Sequence, residues 1–338
     1  ARFRRPSPCI GTIHSVAPIF RAACRRGVGR LKQSLQTAQA PISMYGSYTL
    51  DGLTNDVAGK DLKDLILLIA DDSDGFNVAL DILQTRLQAD LSARRGYEPD
   101  LIQAGQDLLQ RIPFGKDVRI DDRTCARVAE ICLIGPAGAS VVETIVLLLK
   151  KSLLDCSSYI SGHRKLLEAC FKFQAEATLD TLLVLDPLIA PGHYFDSLTF
   201  SDREVSPLDS ISCNILIRWC DKDPKHRYIQ IAQIITFTGS APEGLTVWSD
   251  QARALIDHTP DTISVLSIFV ERFRPTIWSG SRATQMQACI GLLDTLGPDT
   301  TPDLLTFIAQ ERRKLLEDIE AQRHEEAGHG RRRYERFE

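Results

Sequence analysis

The sequence predicts an all-α protein, an α-solenoid of HEAT-like helical hairpins, with an irregular helical bundle as the alternative arrangement. Three observations carry that prediction. Apolar residues recur at helical spacing in one segment after another. Four segments open on a capping side chain followed by proline, at Ser206-Pro207, Asp223-Pro224, Thr259-Pro260 and Thr301-Pro302, the pairing that suits a helix N-terminus. Segments start at intervals of roughly 35–45 residues, close to the period of helical hairpins that stack on one another. Composition agrees: aromatics are only 7%, which suits helix-on-helix packing better than a β-sandwich.

Residues 1–50 contain Pro6, Pro8, Pro18 and Pro41 without a sustained period, and are expected to be mostly irregular. They carry eight of the forty basic residues and no acid. An Arg-rich, acid-free start is a transit-peptide trait. The first residue is Ala, however, and the segment is read instead as a linker or the start of a cut fragment. A helical-repeat domain is expected over 60–322. Leu62, Leu65, Ile66 and Ile69 begin it, and a helix over 76–95 follows with Leu80, Leu83, Leu87 and Leu91 inward and Gly96 as its left-handed terminator. Pro99 opens the next helix, and Cys125, Val128, Ala129 and Cys132 form the face of its partner. Gly135-Pro136-Ala137-Gly138 breaks the chain before a capping box of Ser140 and Glu143. The helix from 141 to 154 is apolar on most sides and is expected to be central, with 164–185 as its partner.

Residues 186–205 interrupt this rhythm with Pro187, Pro191 and three aromatics, and are read as a flap. Helices are then expected over 207–220 and 224–237, a lead-in over 247–257, and a helix–corner–helix unit over 259–296. A last helix begins at Pro302, with Leu304, Leu305, Ile308, Leu315, Leu316 and Ile319 on its buried side. Residues 323–338 form a charged tail.

No chemical motif survives inspection. The Gly135–Ser140 stretch lacks the lysine of a phosphate-binding loop. His324 and His329 are five apart and point about 140° away from each other on a helix, so they cannot share a metal. The nine cysteines are scattered, outside any nucleophile signature, and are read as buried free thiols. No apolar run reaches the roughly 18 residues of a membrane span. All forty-four acidic residues lie after residue 50, which disfavours general nucleic-acid binding unless basic residues gather on one face. Trp219, Trp248 and Trp278 are assigned to packing. No cofactor, metal or catalytic residue is assigned.

The segment Phe269-Val270-Glu271-Arg272-Phe273-Arg274-Pro275, followed by Trp278-Ser279-Gly280-Ser281-Arg282-Ala283 and the ending Glu335-Arg336-Phe337-Glu338, resembles the C-terminal region of large multidomain bacterial proteins. These carry an N-terminal effector or nucleotide-binding part and a helical-repeat tail, and some are implicated in phage defence. The resemblance covers residues 248–338 and implies a cytoplasmic sensor or scaffold segment. The expected function is therefore non-enzymatic recognition of a protein partner. Candidate contacts are His193, Tyr194, Phe195 and Phe200 in the flap, Trp278 and Arg282 in the corner, and Arg332, Tyr334 and Phe337 in the tail. Two alternatives are a nucleic-acid-binding helical-repeat protein and a regulatory segment of an enzyme whose active site lies upstream.

Overall fold

The computed structural model describes residues 58–71, 75–115, 120–154, 163–183, 206–241, 244–273, 282–297 and 301–334, excepting the side chains of 153, 154, 282 and 325–334. Thirteen α-helices and one two-stranded hairpin account for most of them, so the protein is all-α in its main architecture. The chain groups into two compact units, residues 1–186 and 187–338, and each is described by itself.

In the first unit, α1 (Gly59–Ala70) buries Leu62, Leu65, Ile66 and Ile69 on one face, as their spacing predicts. Helix α2 (Phe76–Ser92) is buried around more of its girth, through Phe76, Val78, Ala79, Leu80, Ile82, Leu83 and Leu87, and touches α1, α3 and α4. It ends three residues before the predicted terminus. Arg94, not Gly96, adopts the left-handed conformation (φ 54°), and Leu91 is 52% exposed rather than inward. The buried pair Arg86–Asp90 on α2 is joined by Glu98, whose other carboxylate oxygen accepts from the Gly59 amide and so caps α1.

Helix α3 (Pro99–Leu109) lies against α4 (Asp122–Cys132). Asp121 caps α4 by accepting from the amides of Arg123 and Thr124. Helix α5 (Ala137–Leu154) begins three residues ahead of the predicted capping box. Ser140 therefore sits inside the helix and donates to the Ala137 carbonyl instead of capping. Gly135 makes the preceding turn with φ 91°. The face of Val141, Val142, Ile145, Val146 and Leu149 is buried, while Leu147 stays 57% exposed. The predicted single helix over 164–185 is broken at Gln174 into α6 (Arg164–Phe173) and α7 (Ala175–Leu183). The reason is tertiary: the Gln174 amide donates to the carbonyls of Leu133 and Gly135 in the α4–α5 turn.

Next-but-one helices touch throughout this unit. The contacts run α1 to α3, α3 to α5 and α5 to α7 in one row, and α2 to α4 and α4 to α6 in the other.

The second unit opens with a 3-10 turn over Pro207–Ser210, where a single helix to Cys220 was predicted. Ser206 caps it as expected, accepting from the Leu208 amide. Helices α8 (Cys213–Cys220) and α9 (Arg227–Ile234) follow, then strands β1 (Thr238–Ser240) and β2 (Thr246–Trp248). Next come α10 (Asp250–His258), α11 (Thr262–Phe273), α12 (Arg282–Asp294) and α13 (Pro302–Tyr334). Asp261, rather than Thr259, caps α11: its carboxylate accepts from the hydroxyl and amide of Ser264, and those bonds hold it below the usual carboxylate range. Met286, Cys289, Ile290 and Leu293 of α12 are buried on the predicted face, and Val265, Leu266, Phe269 and Val270 bury α11. On α13 the buried stripe is narrower than predicted. Leu304, Ile308, Leu315 and Ile319 are inside, but Leu305 and Leu316 are 44% and 43% exposed.

Several side-chain links between these helices span 37 to 44 residues, beside shorter ones of 26 to 31 from Gln106 to Cys132, Lys150 to Thr181 and the Ser206 amide to Thr236. Glu98 reaches Gly59 over 39 residues, and Gln174 reaches Gly135 and Leu133 over 39 and 41. The Asp122 carboxylate accepts from the amides of Lys165 and Leu166 at the start of α6, 43 and 44 residues on. In the second unit Gln251 donates to the carbonyls of Ile211 and Leu208 over 40 and 43 residues. Arg272 donates to those of Ala232 and Ile235 over 40 and 37.

Candidate functional site

The hairpin between α9 and α10 is the one strand pairing among the described residues, and its two faces differ. Thr238 pairs with Trp248, Gly239 with Val247 and Ser240 with Thr246. Strand side chains alternate between faces, so Gly239, Val247 and the flanking Ala241 and Leu245 share one side. Thr238, Ser240, Thr246 and Trp248 share the other. Gly244 closes the turn at φ 77°, with its amide donating to the Ala241 carbonyl while the Ala241 amide donates to that of Leu245.

The Trp248 side is anchored. Its indole N–H donates to the Leu292 carbonyl at 3.1 Å, and its ring lies 5.7 Å from Phe269. Phe237, just before β1, stacks on Phe269 at 5.2 Å and meets Phe273 edge-on at 4.9 Å. The Arg272 guanidinium lies 4.5 Å over Phe237 while it donates to the Ala232 and Ile235 carbonyls at the end of α9. One side chain thus caps a helix and braces the root of the hairpin. On the β2 side, Ser249 donates to the Thr236 carbonyl and caps α10 by accepting from Ala252.

The other side is open and apolar. Leu245 is 62% exposed and Val247 37%. Gly239 carries no side chain opposite Val247, where a Cβ would come within 3.7 Å of Val247 Cγ2. The register also turns the backbone N–H and C=O groups of Thr238 and Ser240 away from β2. The hairpin thus has an anchored root and an exposed apolar face.

Burial pushes the thiols of Cys132, Cys170 and Cys220 up to about 12, and that of Cys125 higher still, so none is a thiolate at neutral pH. Among the described residues, no group of three His, Cys, Asp or Glu side chains could hold a metal, and no helix is long and apolar enough to cross a membrane. Trp219 is 1% exposed beneath the Arg227 guanidinium, in keeping with its packing assignment. His163 is buried at the start of α6, edge-on to Phe114 at 4.8 Å, and its Nδ1 has no hydrogen-bond partner among the described residues. Burial lowers its pKa.

Of the contacts predicted from sequence, His193, Tyr194, Phe195, Phe200, Trp278 and Phe337 lie outside the described residues. Arg282, Arg332 and Tyr334 are placed by backbone alone, at the start of α12 and in the last turns of α13. Leu245 and Val247 were missed. A signal was present in Thr246-Val247-Trp248, a β-branched and aromatic run separated from Phe237-Thr238 by Gly239, Pro242 and Gly244. Comparison of the chain with protein-family models, curated proteins and solved structures finds no match in any of the three.

Proposed function

We propose that this chain is a helical-repeat recognition module that binds a protein partner, as the sensor or scaffold segment of a larger bacterial system. The observation that carries the reading is the recurrence of side-chain links at separations of 37 to 44 residues. Such spacing is what stacked HEAT-like hairpins of about forty residues produce, because each pair then meets the same part of its neighbour. Contacts between next-but-one helices support the same arrangement within each unit.

The partner is held at the open face of the hairpin. Leu245 and Val247 give it apolar area, and an extended partner segment takes the backbone groups of Thr238 and Ser240 along the strand edge. The site offers peptide-like hydrogen bonding and hydrocarbon, and nothing that performs bond chemistry.

The test is affinity capture, comparing the wild-type chain with the double variant Leu245→Asp, Val247→Asp. A protein held by the wild type and released by the variant, with unfolding midpoints unchanged, supports the assignment. Identical capture by both chains overturns it. A chain lacking residues 186–205, run alongside, reports whether the flap takes part.

A further inference from the structure

We draw no further inference here: the strongest candidate, the ridge of Leu305, Ala309 and Leu316 on the outer side of α13, is an unpartnered apolar face, and nothing in the structure shows what covers it.

Discussion

Gly105 of α3 lies so close to Cys132 of α4 that a Cβ on the glycine would stand 2.3 Å from the cysteine sulfur. The two helices approach to this distance because one of them carries a hydrogen where every other residue has a carbon. The Gln106 side chain, next along α3, donates to the Cys132 carbonyl and fixes the same crossing.

Gly105→Ala should therefore destabilise the first unit by about 1–3 kcal/mol, as overpacked core substitutions do, although alanine favours helix by about 1 kcal/mol. Adding Cys132→Ala removes the sulfur and leaves the nearest contacts at 3.2 Å. The double variant should be more stable than Gly105→Ala alone. Urea unfolding of the four chains measures this, and additive effects would refute the steric account.

Arg272→Met keeps much of the stem but loses the two bonds to Ala232 and Ile235 and the stacking on Phe237. About 1–3 kcal/mol should be lost, with faster hydrogen exchange at Val247 and Ser249. Arg272→Lys should recover little, because an ammonium cannot present the planar fork. Exchange unchanged in both variants would show that the hairpin root does not depend on this side chain.

His163 is buried, with no partner for Nδ1 among the described residues, and burial lowers its pKa from the ordinary 6.5. The unfolded chain then takes up the proton first. Stability from this group is full above about pH 6.5 and is lost as the pH falls below it. Asp81 and Asp122 act in the opposite sense, since burial raises both carboxyls. The wild type should thus lose more stability between pH 7 and 5 than His163→Gln. Parallel curves for the two chains would refute the assignment.

Leu245→Asp with Val247→Asp should change stability by no more than about 0.5 kcal/mol, as exposed sites do. Trp248→Ala, on the anchored side, should cost several times as much, through the Phe269 contact and the bond to Leu292. Equal costs on the two faces would mean that the outer face is also covered. Thermal unfolding distinguishes the cases.

Much of the helical skeleton was legible because its signals are local. Leu62, Leu65, Ile66 and Ile69 fall on one face of α1 by spacing alone, and Ser206 caps the turn that follows it. The candidate surface was less legible. Sequence reasoning looked to aromatic residues in the flap, corner and tail, whereas the hairpin pairs Gly239 with Val247 across seven intervening residues, and Gly239-Ser240-Ala241-Pro242 reads only as a break.

The sequence by itself determined where most helices run and which residues form their apolar stripes, because periodicity and capping act within a few residues. Tertiary structure alone decided the break at Gln174, whose side chain serves a turn some forty residues away. It also decided that Leu305 and Leu316 remain outside while Leu304 and Leu315 are covered. Neighbouring leucines on a helix present the same hydrocarbon to the solvent. Which of them is buried depends on what stands opposite, and that is set by distant parts of the chain.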